Sequence, residues 1–124
     1  MMNVKRVLCV AAILASLVGN ELSAAVVITT PPNGLSSPSM TKEVYGTASP
    51  NSSNFVNVNR IPVGGGTMSY IGGGFGYPGS GTDWVATVGL GVWIDKATYI
   101  YTANSYVPYP TLSYTKAVNY CTIP

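Results

Sequence analysis

Along Trp84–Ile94 every second side chain is apolar: Trp84, Ala86, Val88, Leu90, Val92 and Ile94. Val85, Thr87, Gly89, Gly91 and Trp93 lie between them. A period of two sustained this far predicts one long strand with a face committed to a core. Such a strand does not persist alone. It needs paired strands and a second layer to cover its apolar face.

The rest of the chain supplies candidates. Val26–Thr30 (VVITT) is β-branched throughout and reads as a first strand, stopped by Pro31-Pro32-Asn33-Gly34. Residues 35–54 are rich in Ser, Pro, Asn and Thr and read as exposed loop, with one short candidate strand at Glu43–Thr47. Phe55–Ile61 alternates weakly and ends at Pro62. Asp95-Lys96 suits a tight turn, and Tyr99–Ala103 (YIYTA) then returns as a strand, predicting a hairpin with the long strand. Asn104–Pro110 interrupts the pattern, because neither Pro108 nor Pro110 can donate to a ladder. Thr111–Cys121 alternates again, with Leu112, Tyr114, Val118 and Tyr120 on one face and Lys116 as the exception. Five to seven strands with no helix after the N-terminal segment predict an all-β fold, a small antiparallel β-sandwich or a partly open barrel. A membrane-spanning barrel from one chain needs at least about eight long strands, and only two or three are on offer.

Half of residues 64–81 are glycine. The triplets Gly64–Gly66 and Gly72–Gly74 bracket Thr67–Ile71. Ordering so many glycines costs backbone entropy with little packing in return. The segment therefore reads as a glycine-rich loop, or as chain held where another backbone comes very close.

The N-terminus sets an address. Lys5 and Arg6 precede an apolar stretch from Val7 to Val18, and Leu22-Ser23-Ala24-Ala25 offers small residues to a signal peptidase. This is the layout of a helical secretory signal peptide over residues 1–25, cleaved near Ala24 and Ala25. The apolar stretch is shorter than the roughly 20 residues a transmembrane helix needs. Residues 26–124 are then a single small β domain, opening with a strand and a Ser/Pro/Asn-rich loop over 26–54 and carrying the glycine-rich loop 64–81. Export places it in the periplasm, at the cell surface or outside the cell, with no stable transmembrane span in the mature chain.

Export also removes Lys5, Arg6 and Glu21, leaving Lys42, Glu43, Arg60, Asp83, Asp95, Lys96 and Lys116 as the charged side chains. No basic stripe is left to neutralise phosphates, which argues against nucleic acid as a partner. Cys9 departs with the signal, so Cys121 is the sole mature cysteine. An odd cysteine in an exported chain suggests an intermolecular disulfide or an unpaired thiol. A buried thiol serving as a small hydrophobe is the plainer reading.

Histidine is absent, which removes the usual general base, the Ser–His and Cys–His pairs and most zinc sites. Asp83 and Asp95 flank the long strand. Along one extended strand they would stand nearly ~40 Å apart, against the ~5–10 Å of a glycosidase pair. Gly74-Phe75-Gly76-Tyr77-Pro78-Gly79 matches G-x-G-x-x-G in letters only, since a strand and not a helix follows it. No cofactor, metal or catalytic set is expected. Asn51-Ser52-Ser53 is a formal glycosylation sequon in a loop.

Aromatic side chains are the remaining recognition chemistry. Trp93 lies opposite the apolar stripe beside Gly89 and Gly91, and Tyr99, Tyr101, Tyr106 and Tyr109 follow. Exposed Trp and Tyr over small residues make a flat surface for a sugar ring or a protein. A Trp93 that fills a second buried face is the alternative.

Three functions follow from these observations. The charge-poor, Thr/Gly/Asn-rich β composition resembles that of fimbrial subunits, although the paired cysteines and C-terminal aromatic pattern of that family are missing. That resemblance implies a non-catalytic structural or adhesive surface subunit, contacting other surface subunits or cell-surface glycans and able to self-associate through strand edges. Gly66-Thr67-Met68-Ser69-Tyr70, and Gly91-Val92-Trp93 with Lys96-Ala97-Thr98, resemble parts of lactococcin-like secreted bacteriocins, which implies a small antibacterial polypeptide. A carbohydrate-binding module using the Trp93 face is the third.

Overall fold

The computed structural model describes residues 25–90, 95–108 and 112–124. The expected signal peptide and its cleavage point lie outside these residues, apart from Ala25. In chain order the strands are β1 (Val27–Thr30), β2 (Glu43–Thr47), β3 (Ser53–Pro62), β4 (Ser69–Gly76), β5 (Asp83–Thr87), β6 (Gly89–Leu90), β7 (Ala97–Val107) and β8 (Ser113–Ile123). Among the described residues there is no helix, and the protein is all-β. Two antiparallel sheets form, one of order β1-β2-β5 and one of order β6-β4-β3-β7-β8.

A single apolar cluster draws on both sheets, including Val44, Trp84 and Ala86 from the smaller and Val56, Val58 and Tyr101 from the larger. Each fully buried valine of this kind contributes roughly 1.5–3 kcal/mol relative to exposure. Trp84 fills the space between layers because two neighbouring positions carry no side chain. A β-carbon on Gly46 would stand 2.3 Å from Cζ2 of the Trp84 ring, and one on Gly76 would stand 3.0 Å from its Cε3.

The alternation beginning at Trp84 reports the buried face correctly, since Trp84, Ala86 and Val88 are buried while Val85 and Thr87 are exposed. The single long strand, however, does not form. β5 pairs with β2 in the smaller sheet, and after Val88 the chain changes sheets, so that Gly89 pairs with Gly73 and Leu90 with Gly72. The Val88 N–H is taken by the Lys42 carbonyl at 2.8 Å. Residues 91–94 lie outside the described set. Nor does the expected hairpin between this segment and Tyr99–Ala103 form, because β7 pairs with β3 on one side and β8 on the other.

The glycine-rich segment is also corrected. Ser69–Gly76 is a strand that pairs with β3, with a register shift between Val58 and Asn59. The close-approach alternative applies here: a β-carbon on Gly74 would stand 2.3 Å from the Thr87 carbonyl oxygen. Loop conformation is confined to the flanks, where Gly64, Gly65 and Gly66 hold φ of 85°, 93° and 119°, a region that favours glycine. Strand boundaries move as well. β3 starts at Ser53 rather than Phe55, and β7 continues through Asn104 to Val107 because β8 offers it a full-length partner.

The faces of β8 are the reverse of the apolar expectation. Asn119, Cys121 and Ile123 are buried, whereas Leu112, Tyr114 and Tyr120 are exposed. Asn119 explains the choice. Its Nδ2 donates to the carbonyls of Ile28 at 3.1 Å and Pro31 at 2.9 Å, tying β8 to the turn after β1. Residues 33–37 then run beside the end of β8: Gly34 N–H donates to the Tyr120 carbonyl at 2.7 Å and Thr122 N–H to the Leu35 carbonyl at 2.9 Å.

Candidate functional site

The five-stranded sheet turns one face to the core and the other to solvent, and its register decides which side chains share the outer face. Tyr106 stands opposite Ser53 on one side and Tyr114 on the other. In the next row, Phe55 stands opposite Phe75 and Asn104, and Asn104 opposite Lys116. A third row runs Gly73, Asn57, Thr102 and Val118. Tyr77 follows β4 directly and stacks on Phe75, with ring centroids 6.3 Å apart and planes 8° from parallel. One end of the face therefore carries five aromatic rings spread over four strands.

The rings fall into two groups. Phe55, Phe75 and Tyr77 form the first, with the Phe55 and Phe75 centroids 4.7 Å apart. Phe75 and Tyr77 are 59% and 63% exposed, a large apolar surface to leave in water. Tyr106 and Tyr114 form the second. The Tyr114 hydroxyl donates to Asn104 Oδ1 at 2.6 Å, which fixes its ring over the sheet. Ser53 and Asn104 lie between the groups, and the face continues with the amides and hydroxyl of Asn57, Asn59 and Thr102 alongside Val118, Ile100 and the exposed Tyr120. Tyr70 reaches over Gly73, where a β-carbon would stand 2.8 Å from its hydroxyl.

The face is nearly uncharged, with Lys116 as the charged side chain among its described residues. The carboxylates lie elsewhere. Glu43 and Asp83 sit at opposite ends of the smaller sheet. Asp95 accepts from Arg60 Nε at 2.9 Å and Nη2 at 2.6 Å, and this hydrogen bond raises the Arg60 pKa. Among the described residues no three His, Cys, Asp or Glu side chains gather as a metal site.

Of the five aromatic residues singled out from sequence, three are described, and one of these belongs to this face. Tyr106 is there, 46% exposed. Tyr99 and Tyr101 are buried in the core instead, because the odd-numbered side chains of β7 point inward. Their hydroxyls are satisfied internally: Tyr99 accepts from the Asp95 N–H at 2.8 Å, and Tyr101 donates to the Thr41 carbonyl at 3.2 Å. Burial pushes the Tyr101 pKa well above the ordinary tyrosine value. Trp93 and Tyr109 lie outside the described residues. Phe55, Phe75, Tyr77 and Tyr114 were missed by the sequence reading. The i, i+2 pair Phe75 and Tyr77 was a signal for them, once that segment is read as strand rather than loop.

No family model matches this chain, and no curated protein and no solved structure matches it either. The geometry is what bears on function. Two further features bear on it. Cys121 is an unpaired cysteine and buried, its Sγ 3.5 Å from the Pro32 carbonyl, and burial raises its pKa. Such a thiol cannot reach a second molecule unless residues 32–35 lift away, so the intermolecular bridge does not fit this geometry. β8 is an edge strand, and among the described residues no strand pairs with the outer side of Tyr114–Val118. No helix of the described residues is long and apolar enough to cross a membrane.

Proposed function

We propose that this chain is an exported, non-catalytic adhesion domain of a cell surface or surface fibre. In this reading the two sheets make a small β-sandwich, and the outer face of the larger sheet is its contact surface for glycans or other surface proteins. The observation that carries it is the row of outward aromatic rings across β4, β3, β7 and β8. Rings placed on a strand scaffold are held with few rotatable bonds, so they lose little entropy on contact. The low charge and the absence of histidine favour a role that holds rather than transforms its partner.

The test compares the mature protein with the double variant Phe75→Ala, Tyr114→Ala in adhesion to whole cells and to immobilised glycans. Tyr45→Ala, an exposed tyrosine of the smaller sheet, serves as control. The double variant is expected to lose at least about tenfold in half-maximal adhesion, while the control retains it. Equal adhesion by all three proteins overturns the reading.

A second reading has one specific observation in its favour. The open edge at Tyr114–Val118 offers backbone N–H and C=O groups to an added strand, the mode by which fibre subunits assemble. Self-association that is lost when Val118 becomes Pro would support it.

A further inference from the structure

We propose that the ligand of the aromatic face is a neutral, extended polysaccharide lying across the strands, an inference that rests on the adhesive reading above. Span, chemistry and charge lead there separately.

Span comes first. From Phe75 on β4 to Tyr114 on β8 the face crosses three inter-strand steps, ~14 Å at ordinary strand spacing. One group occupies β4 and β3 and the other β7 and β8, so rings stand on all four strands of this span, with Ser53 beside Tyr106 and Asn104 beside Phe55. One sugar ring covers one group only. A chain of several rings, laid nearly perpendicular to the strands, rests on both.

The chemistry beside the groups then separates a sugar polymer from an apolar protein surface. Asn57, Asn59, Asn104 and Thr102 carry amides and a hydroxyl that are half-buried. An apolar partner would strip water from these groups and return no hydrogen bonds, a cost of roughly 1–3 kcal/mol for each one left unpaired. A hydroxyl-rich chain returns them, while the apolar faces of its rings stack on Phe75, Tyr77, Tyr106 and Tyr114. The recipient surface is also preset, since Phe55 backs Phe75 and Asn104 anchors Tyr114.

Charge decides the class of polymer. Lys116 alone gives no array of cations for sulfated or uronic polymers, and the face has no carboxylate to select cationic ones. An uncharged chain matches it, and its binding is insensitive to salt.

The test uses the mature protein in native electrophoresis through gels containing hydroxyethyl cellulose, with polygalacturonate gels as the charged arm, and in retention on microcrystalline cellulose and on chitin. The result expected is retardation or retention by at least one neutral polymer, unchanged between 0.05 and 1 M salt. A neutral hexasaccharide should compete at least about tenfold better than its monosaccharide, and Phe75→Ala and Tyr114→Ala should each weaken binding about tenfold. Retention by polygalacturonate alone, or equal competition by monosaccharide and hexasaccharide, overturns the proposal. No binding to any neutral polymer also overturns it. If adhesion to cells still falls with the double variant in that case, the adhesive reading stands and the ligand class alone is wrong. If adhesion does not fall, both are wrong.

Discussion

The rings of Phe55 and Phe75 meet on the solvent side of the larger sheet with centroids 4.7 Å apart and planes inclined by 36°. They are directly opposed residues of β3 and β4, and Phe75 is more than half exposed. A pair of this geometry adds about 0.5–1.5 kcal/mol beyond area burial. Phe75→Ala should therefore cost about 1 kcal/mol in chemical denaturation while cutting adhesion about tenfold. A loss above about 3 kcal/mol, in the range of a buried Phe→Ala change, would mean that the ring serves folding and not contact.

Gly46→Ala tests the opposite kind of position. A β-carbon there would stand 2.1 Å from the Val27 carbonyl oxygen and 2.3 Å from the Trp84 ring. Neither β1 nor a fully enclosed indole can yield without opening the core. The variant should lose more than about 3 kcal/mol or fail to fold, read as a lower urea midpoint or as loss of soluble protein.

Asn119→Ala should loosen the attachment of the β1 turn to β8. Two carbonyls, those of Ile28 and Pro31, lose their donor in a buried place. The expected cost is about 2–3 kcal/mol. Hydrogen exchange should report it locally, with faster exchange at the Gly34 and Thr122 amides than in β3 or β7.

The thiol of Cys121 should be silent in the folded state. It is 1% exposed, so labelling by a thiol reagent should follow the opening of residues 32–35 and speed up sharply in denaturant. Reducing and non-reducing gels of residues 26–124 should show the same size. Rapid stoichiometric labelling under native conditions would contradict the burial.

Alkaline pH should destabilise the protein. Burial raises the folded pKa of Tyr101 above its ordinary 10.0 and that of Cys121 above its ordinary 9.0. Between those ordinary values and the raised ones, the unfolded chain has released protons that the folded chain keeps. Stability is thus fully present below about pH 9 and falls as pH rises beyond it. Tyr101→Phe should flatten the fall, seen in Tm against pH from about 8 to 11, at the cost of the hydrogen bond to Thr41. With no histidine to titrate, Tm should change little between about pH 6 and 8.

The all-β character was legible in the period-two pattern, and so was the inward parity of Trp84, Ala86 and Val88. The strands at Glu43–Thr47 and at β1, the latter one residue longer as Val26–Thr30, were legible from the sequence. Less was visible of the candidate site. Tyr99 and Tyr101 looked like surface aromatics because a tyrosine suits either side of a sheet. What places them inside is the parity that β7 takes between β3 and β8, with backbone groups of Asp95 and Thr41 meeting the two hydroxyls there. Phe75 and Tyr77 were hidden in a glycine-rich run that reads as loop until β3 and β5 are known to press on it.

Alternation is a property of the extended backbone itself, so the sequence alone determined that this chain makes strands and which side chains of Trp84–Val88 go inward. It also determined that the chemistry available is aromatic, amide and hydroxyl, with no histidine. Tertiary structure decided the rest. A strand's hydrogen-bonding edges carry no side chain, so nothing local records that β5 pairs with β2 while β6 joins β4 across Val88. The aromatic face is a product of register. Phe55, Phe75, Tyr106 and Tyr114 come from separate parts of the chain and become neighbours only when β3, β4, β7 and β8 align.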